Sequence, residues 1–398
     1  MDISYILNEL GEDRENYYNA VAPPVIQTSN FAFRTTDEFR AAVASPYDNM
    51  FYSRASNPTI DILRKKLAAL DGAEDSLVLG TGIAAVSTPI LSLLQQGDHL
   101  VSVAKPYAWA RNFFDDILPK FGITVSYVDG TEPANFENAI RHNTRLVYLE
   151  SPNSYTFELQ DLSAISAICK KHGVWSMIDN TYSTPLFQQP HRLGIDLVIQ
   201  SGTKYVGGHS DVLAGVVSGS AAFIKRIFEK ELFILGTVIS PWSAWLLLRG
   251  LRTLPIRMEK ICQTTATVVE FLNNHPAVEK INFPFHPSFP QYDLAKQQMR
   301  NAGGLFSIVL KKTRLSDIET FCNSLRRFKM AVSWGGHESL VMPSAVAFPK
   351  AEFNPDLEEH RLVRFYIGLD EADVLIADLD KGLAGITSWI QKAIRVVI

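Results

Sequence analysis

Short apolar runs separated by helix-like segments recur along the chain from about residue 61 onwards. Each run is rich in branched side chains, as buried strands are. The runs lie at residues 76–79, 99–103, 125–128, 146–149, 174–178 and 197–199. Helical segments separate them, at residues 83–94, 109–121, around 139 and 164–171. This alternation predicts an α/β fold with a mostly parallel sheet and helices on both faces.

The pattern changes on both sides of this region. Residues 1–60 are rich in proline and aromatic residues without a clear period, and we interpret them as an N-terminal arm. Beyond residue 250 a long helix is predicted at 258–273, together with further helices and strand-like runs. We therefore expect an α/β domain at 61–250 and a smaller C-terminal α+β domain at 251–398.

The composition of the chain limits the classes of protein to which it can belong. The chain has 398 residues, 46% of them hydrophobic and 20% charged, which is ordinary for a soluble globular protein. A net charge of -4 gives no electrostatic case for nucleic acid or a membrane surface as partner. No apolar stretch is long enough for a membrane span, and the first residues lack the features of a signal peptide. The three scattered cysteines are read as buried reduced thiols, so we expect a cytoplasmic location.

A lysine and an aspartate each follow a predicted core strand. Asp179 ends the run at 174–178, and Lys204 lies shortly after the run at 197–199. If these strands are parallel, both side chains share the C-terminal edge of one sheet, where open α/β folds bind ligands. Such a pair can hold pyridoxal phosphate (PLP), the lysine as a Schiff base and the carboxylate against the pyridinium nitrogen. For a single Lys and Asp, a solvated loop residue and a turn cap would be the commoner roles.

Neighbouring residues suit the other parts of this cofactor. Gly80-Thr81-Gly82 joins a strand to a helix, and the backbone N–H groups of such a junction favour phosphate. Glycines at such a turn can also serve steric needs alone. Ser201 and Thr203 add hydroxyl groups beside the lysine. Tyr107, at the same sheet edge, could stack on a pyridine ring or be an ordinary core tyrosine.

The lysine segment resembles a known family. Residues 201–211, Ser-Gly-Thr-Lys-Tyr-Val-Gly-Gly-His-Ser-Asp, are similar to the lysine signature of the Cys/Met-metabolism PLP enzymes. That family comprises cystathionine γ-synthases, cystathionine β- and γ-lyases and methionine γ-lyases. The resemblance extends from Ala22 to the C-terminus, with matching motifs at 52–54, 57–59, 178–181, 249–254 and 335–340. It implies the aspartate-aminotransferase-like fold, PLP fold type I.

The resemblance also implies roles for individual residues. Lys204 would hold the cofactor and shuttle protons, Asp179 would keep the pyridinium nitrogen charged, and Tyr107 would stack on the ring. The phosphate ligands would be Gly82, Ile83, Ser201 and Thr203. Tyr52 and Arg54 would reach the phosphate of a neighbouring subunit, which implies a homo-oligomer, expected as a tetramer built from dimers that share active sites.

The same resemblance places the substrate. Arg364 would take the carboxylate of a small sulfur amino acid in a bidentate pair, assisted by Ser333. Ser154 stands where many members carry asparagine, and Trp334 where γ-acting members usually carry leucine. With Pro106-Tyr107, these residues are similar to bacterial cystathionine β-lyases. The segment Asn57-Pro58-Thr59 is more similar to that of the γ-synthases and γ-lyases of the family.

We therefore expect a PLP-dependent carbon–sulfur lyase that converts cystathionine, or a related cysteine S-conjugate, to homocysteine (or another thiol), pyruvate and ammonia. Methionine γ-lyases place a cysteine where Trp109 sits, and several cystathionine γ-enzymes carry glutamate where Val332 sits. The alternatives are a γ-acting member of the same family and a decayed paralogue with a regulatory role. No metal is expected: His337-Glu338 lacks the second histidine of a zinc-protease motif, because position 341 is valine.

Overall fold

The computed structural model describes residues 1–54 and 56–397, with side chains up to residue 386. The chain forms two compact units. The first comprises residues 1–152, 159–207 and 211–254, and the second comprises 153–158, 208–210 and the chain from Pro255 onwards. The division predicted between residues 250 and 251 lies a few residues before this boundary. Residues 1–60, predicted as an arm, group with the first unit.

A seven-stranded sheet forms the centre of the first unit, with strand order β1-β7-β6-β5-β4-β2-β3. The strands are β1 Asp75–Leu79, β2 His99–Val103, β3 Thr124–Val128, β4 Thr144–Glu150, β5 Trp175–Asp179, β6 Leu197–Gln200 and β7 Gly215–Gly219. From β6 to β3 all neighbours are parallel. β7 is antiparallel to both β1 and β6. The predicted mostly parallel sheet is confirmed.

Helices cover both faces of this sheet. The helices in this part of the chain are α1 Ile3–Asn8, α2 Thr36–Ala44, α3 Pro58–Asp71, α4 Gly82–Leu93, α5 Ala108–Asn112, α6 Pro133–Ala139, α7 Leu162–His172, α8 Thr184–Phe187, α9 Ala221–Ile227, α10 Phe233–Leu235 and α11 Pro241–Asn273, which begins in the first unit. Successive strand residues point to opposite faces. Tyr148 and Met177 pack with α4 and α9 in one core. Val147 and Ile178 pack with α6 and α7 in the other.

The N-terminal helix α1 is fixed to α3 by a buried lysine. The Nζ of Lys66 donates to the carbonyls of Ile6 at 2.9 Å and Leu7 at 3.1 Å. It also lies 3.1 Å from the carboxylate of Glu12, whose side chain has no exposed surface. Because a buried ammonium needs its donors satisfied and its charge paired, this cluster fixes the start of the chain on the first unit.

Three segments differ from the sequence prediction. The helix predicted at 109–121 ends as α5 at Asn112 and continues as a π turn and a 3-10 turn, Leu118–Phe121, which contains Pro119. β7 was not predicted, because its short run is bounded by glycines. The helix predicted at 258–273 begins at Pro241, and Gly250 and Pro255 lie within it.

Gly250 is required by close packing inside the first unit. A β-carbon at this position would overlap the carbonyl oxygens of Val206 and Gly207. The glycine, which disfavours a helix by sequence, therefore lets α11 approach the segment that follows Lys204. The start predicted for this helix, residue 258, was therefore too late in the chain.

The second unit contains a five-stranded sheet of order β10-β11-β12-β9-β8. Its strands are β8 Val278–Asn282, β9 Leu305–Leu310, β10 Lys329–Met330, β11 Leu340–Pro343 and β12 Leu362–Tyr366. Its other helices are α12 Tyr292–Gln298, α13 Leu315–Ser324, α14 Glu358–Arg361 and α15 Ala372–Val397. β12 pairs antiparallel with both β11 and β9, so Arg364 lies in the interior of this sheet.

The state of the cysteines and the length of the apolar helices can be compared with what the composition predicts. Cys169, Cys262 and Cys322 are buried and form no disulfide. Burial raises the pKa of each thiol to about 12, so all three are protonated at neutral pH. Over the residues that the structure describes, no helix has the length and apolar character to cross a membrane.

A buried carboxylate links α3 to two central strands. Asp71 has no exposed surface. The Nε2 of Gln200 donates to its two oxygens at 2.8 and 3.0 Å, and the hydroxyl of Ser218 donates at 2.6 Å. Burial raises the pKa of Asp71 to about 7, although the hydrogen bonds from Ser218 and Gln200 oppose the shift. Asp71 therefore binds its proton more tightly in the folded protein than in the unfolded chain.

Replacing Asp71 with asparagine should change how stability depends on pH. A carboxyl whose pKa is raised by folding stabilises the fold below its ordinary value of 3.8, and this stability is lost as pH rises through the folded value of about 7. Asp71→Asn lacks this titration. From about pH 5 to about pH 8, the free energy of unfolding of the variant should therefore increase by about 2–3 kcal/mol relative to that of wild type. The measurement is the melting temperature of both proteins, whose difference should grow with pH.

The matched control for this experiment is Asp317→Asn. The hydrogen bond from Arg314 lowers the pKa of Asp317, so this carboxyl is ionised across the same pH interval in both states. Its substitution should shift the melting temperature by the same amount at both pH values. A difference between Asp71→Asn and wild type that does not vary with pH would contradict the prediction for Asp71.

Candidate active site

Asp179 and Lys204 lie at the C-terminal edge of the large sheet. Asp179 is the last residue of β5, which pairs in parallel with β6, and Lys204 follows the end of β6. Burial raises the pKa of Asp179, and the positive charge of Lys204 is among the influences that oppose this rise, as expected for neighbouring opposite charges. Glu150 ends β4 in register with Asp179 and adds a second carboxylate to the edge. The parallel arrangement that the sequence argument required is therefore present.

The carboxylate of Asp179 is oriented by Thr181. The backbone N–H of Thr181 donates to its Oδ1 at 2.9 Å, and the Thr181 hydroxyl donates to the same oxygen at 2.5 Å. Desolvation is the largest influence on the pKa of Asp179 and raises it, whereas the Thr181 hydrogen bonds lower it. The side chain is only half-buried. A partly accessible carboxylate that is poorly hydrated is suited to pair with a cation.

The same threonine connects Asp179 to the lysine segment. The backbone N–H of Ser201 donates to the hydroxyl oxygen of Thr181 at 2.8 Å. Thr181 therefore joins the ends of β5 and β6 by hydrogen bonds. Sequence reasoning gave it no role, although it stands two positions after Asp179 within a motif of the family.

Tyr107 is placed at this edge by Glu150. Its backbone N–H donates to the Oε2 of Glu150 at 2.5 Å, and Glu150 is buried. Tyr107 immediately precedes α5, and its side chain is 41% exposed. An ordinary core tyrosine would be buried, so this exposure is in keeping with a ring that receives a ligand. Glu150 is a second residue to which sequence reasoning gave no role.

The start of α4 forms a candidate phosphate site. α4 begins at Gly82, and the side chain of Thr81 accepts from the backbone N–H of Ala84 at 3.2 Å. The first N–H groups of a helix, here those of Gly82 and Ile83, have no partner inside the helix. A β-carbon on Gly82 would lie 2.7 Å from the hydroxyl oxygen of Ser201. Glycine therefore allows the Ser201 hydroxyl to lie against the helix N-terminus.

The hydroxyl of Thr203 is hydrogen-bonded to the protein backbone. Its hydroxyl donates to the carbonyl of Ala214 at 3.3 Å and accepts from the Ala214 N–H at 3.0 Å. A hydroxyl has one proton to donate. In this arrangement Thr203 holds the lysine segment against the segment that leads into β7, and its predicted phosphate contact remains a prediction.

Arg54 contacts the ring of Tyr52 and a ring of α10. The guanidinium carbon of Arg54 lies 5.4 Å from the ring centre of Tyr52 and 4.7 Å from that of Phe233. Both distances fall in the range of cation–π contacts. Their predicted reach to the phosphate of a neighbouring subunit remains a prediction.

The predicted substrate residues lie in the second unit. Arg364 on β12 is 5% exposed. Its Nη1 donates to the carbonyl of Ser154 at 3.3 Å, and its Nη2 donates to the carbonyl of Val332 at 2.7 Å. Ser333 follows Val332 and is exposed, whereas Trp334 is buried. The backbone carbonyls of Ser154 and of Val332, the residue before Ser333, therefore both bind the guanidinium of Arg364.

The residues of the first unit fit PLP. Asp179 offers a half-buried carboxylate for a protonated ring nitrogen, and Lys204 an amine for the aldehyde. Gly82 lets the Ser201 hydroxyl lie against the N-terminus of α4, where a phosphate is favoured. Tyr107 offers an exposed ring. A metal ion has no such site: within the described part of the chain, no three His, Cys, Asp or Glu side chains are grouped to bind one.

Comparisons with known proteins agree with this chemistry. L-methionine gamma-lyase from Pseudomonas putida is 38% identical, covering 94% of this chain and 95% of that protein. The enzyme of the same name from Treponema denticola is 39% identical, covering 93% and 94%. A putative cystathionine beta-lyase from Rhizobium johnstonii is 34% identical, covering 95% of each.

A solved structure and a family model complete the comparison. The crystal structure of metB from Corynebacterium glutamicum superposes with a TM-score of 0.89 at 29% identity, covering 97% of this chain and 98% of that one. The model of the Cys/Met metabolism PLP-dependent enzymes matches residues 6–384. The chain therefore belongs to the Cys/Met metabolism PLP-dependent enzyme family.

Proposed function

We propose that this protein is a carbon–sulfur lyase that acts on a small sulfur amino acid. The observation that carries the proposal is the grouping of Lys204, Asp179 and Tyr107 at one sheet edge, fixed by Thr181 and Glu150. A lyase of this kind needs a proton acceptor at the substrate Cα and an anion that keeps the cofactor ring cationic. Lys204 and Asp179 supply these two groups.

Each residue at this sheet edge has its own role in the proposed reaction. When bound, PLP supplies the electron sink for the pair that remains when Cα loses its proton. Lys204 removes that proton and returns one to the leaving group or to carbon. Burial raises the pKa of Asp179, and the hydrogen bonds from Thr181 oppose this rise by favouring the charged carboxylate, which in turn favours a protonated ring nitrogen. Tyr107 stacks on the ring, and Gly82, Ile83, Ser201 and Thr203 bind the phosphate.

Arg364 takes the substrate carboxylate in this proposal. Its guanidinium has five N–H donors, and the carbonyls of Ser154 and Val332 accept from one nitrogen each. These two contacts hold the planar group in place for a bidentate pair with a carboxylate. Ser333, next to Val332, assists, and Tyr52 and Arg54 act on the phosphate of a neighbouring subunit in a homo-oligomer.

The bond that we propose is cleaved is the one between Cβ and sulfur. Ser154 and Trp334 are the residues that favour β-elimination, since they resemble those of bacterial cystathionine β-lyases. Trp109 stands where methionine γ-lyases place a cysteine. The product would be pyruvate, with homocysteine when the substrate is cystathionine.

A second candidate is γ-elimination, with methionine or cystathionine as substrate. Its support comes from the relatives named L-methionine gamma-lyase, which are 38% and 39% identical to this chain. γ-Elimination requires a further deprotonation at Cβ, which the same lysine can perform. The two reactions release different oxo acids, so the product separates them.

The purified holoenzyme should release pyruvate and homocysteine from cystathionine. The measurement is quantification of pyruvate and 2-oxobutyrate from cystathionine and from methionine, each at saturating concentration. 2-Oxobutyrate as the main product would replace β-elimination with the γ-acting candidate. Bound cofactor without turnover of either substrate, or of other cysteine S-conjugates, would favour a decayed paralogue.

Lys204→Ala should lower turnover by about 100- to 10,000-fold, because the group that moves the Cα proton is lost. Borohydride should fix the cofactor covalently to the wild-type protein and not to this variant. Lys171→Ala is the matched control, since Lys171 pairs with Glu137 on the surface and should be dispensable. Wild-type turnover in Lys204→Ala would remove the lysine from the mechanism.

Thr181→Val should raise the pKa of Asp179, since two of the hydrogen bonds that favour its charged form come from this residue and one of them is lost. We expect kcat to fall about 10-fold, and the pH dependence of the cofactor absorbance to shift. Thr181→Ser, which keeps the hydroxyl, should restore most of the activity. Equal behaviour of the valine and serine variants would show that the hydroxyl has no such effect.

A further inference from the structure

Tyr155 covers the guanidinium of Arg364. The guanidinium carbon lies 4.8 Å from the centre of the tyrosine ring, within the range of a cation–π contact. Arg364 is 5% exposed, whereas Tyr155 is 36% exposed. The ring therefore packs on the guanidinium and is the more exposed of the two groups.

The backbone of Tyr155 is held from both sides. The Oδ1 of Asn153 accepts from the N–H of Tyr155 at 3.1 Å, and also from the next two backbone N–H groups. The carbonyl of Tyr155 accepts from the hydroxyl of Ser307 at 2.7 Å. Ser307 lies on β9 directly across from Arg364 on β12. The position of the tyrosine is thus fixed by the strand that adjoins the arginine.

The hydroxyl end of the ring has a weaker contact. It lies 3.9 Å from the sulfur of Met342, and Met342 pairs with Arg364 across β11 and β12. The same sulfur is 3.2 Å from the Nη2 of Arg364. Thioether sulfur is a weak acceptor, so we assign the ordering of the guanidinium to the ring face and to the two backbone carbonyls.

These contacts define the plane of the guanidinium. The carbonyls of Ser154 and Val332 bind its edge, and the ring of Tyr155 packs on its face. A bidentate pair with a carboxylate needs the remaining edge to be presented in one orientation. A ring that prevents rotation about the last bonds of the side chain reduces the entropy lost when the carboxylate binds.

We propose that Tyr155 is a positioning residue for the substrate carboxylate: its ring face orients Arg364 for bidentate binding of the α-carboxylate of an amino acid. The inference rests on the proposed role of Arg364. The ring itself, rather than its hydroxyl, has the effect. Tyr155 acts on substrate affinity and leaves the proton transfers at Lys204 unchanged.

The test compares Tyr155→Leu with Tyr155→Phe in the holoenzyme. Leucine removes the aromatic face, so KM for the sulfur amino acid should rise about 3- to 30-fold while kcat changes little. Phenylalanine keeps the face and should stay close to wild type. Binding of L-alanine, which has the α-carboxylate and no leaving group, should weaken by the same factor in calorimetry.

A double substitution separates this inference from the proposed function. In an Arg364→Ala background, Tyr155→Leu should have no further effect on KM or on alanine binding, because its partner is gone. An additive effect would overturn the inference, as would a Phe variant as impaired as the Leu variant. If Arg364→Ala itself leaves KM unchanged, the proposed role of the arginine fails and the role of Tyr155 fails with it.

The cofactor absorbance and the near-ultraviolet circular dichroism of each variant report on folding. Tyr155→Met is a second variant without an aromatic face, with a flexible side chain that fills the space if leucine is not accommodated. It should reproduce the rise in KM. Wild-type KM in either correctly folded aliphatic variant would overturn the inference.

Discussion

One oxygen atom of Asp179 organises the C-terminal edge of the large sheet, where we propose that the cofactor binds. Its Oδ1 accepts both the backbone N–H and the hydroxyl of Thr181, and that hydroxyl oxygen in turn accepts the N–H of Ser201. Because β5 and β6 are parallel, the carboxylate and the lysine segment leave the sheet side by side. Asp179, the candidate phosphate ligand Ser201 and the segment that carries Lys204 are therefore joined by one connected set of contacts.

The charges at this edge have a chemical consequence. Asp179 and Glu150 end neighbouring strands in register, so two carboxylates lie at one edge. Backbone N–H groups stabilise both, from Thr181 on one side and from Tyr107 on the other. In the proposed arrangement Lys204 would hold the aldehyde, Asp179 would pair with a protonated ring nitrogen, and the N-terminus of α4 would offset the charge of the phosphate. The edge is thus suited to a cofactor with a cationic ring and an anionic tail.

The sequence was informative wherever local pattern determines structure. The parallel strands, the positions of Asp179 and Lys204 at one edge, and the strand-to-helix junction at Gly82 all follow from apolar periodicity and turn residues. β7 and the first half of α11 do not, because glycine at 215, 219 and 250 serves packing that only the folded chain shows. The roles of Thr181 and Glu150 depend on contacts across strands, which periodicity does not reveal. Contacts of Arg364 with Ser154 and Tyr155 join residues more than 200 positions apart.

The residues that depart from the usual family pattern are found mainly around Arg364. Ser154 and Val332 both differ from the commonest members, yet each contacts the guanidinium through its backbone carbonyl. A side-chain change at either position keeps that carbonyl. The carboxylate site proposed at Arg364 would thereby keep both hydrogen bonds when the side chains beside it are substituted. Substitution of these two side chains therefore need not disturb the orientation of the guanidinium, because that orientation depends on the backbone and on the ring of Tyr155.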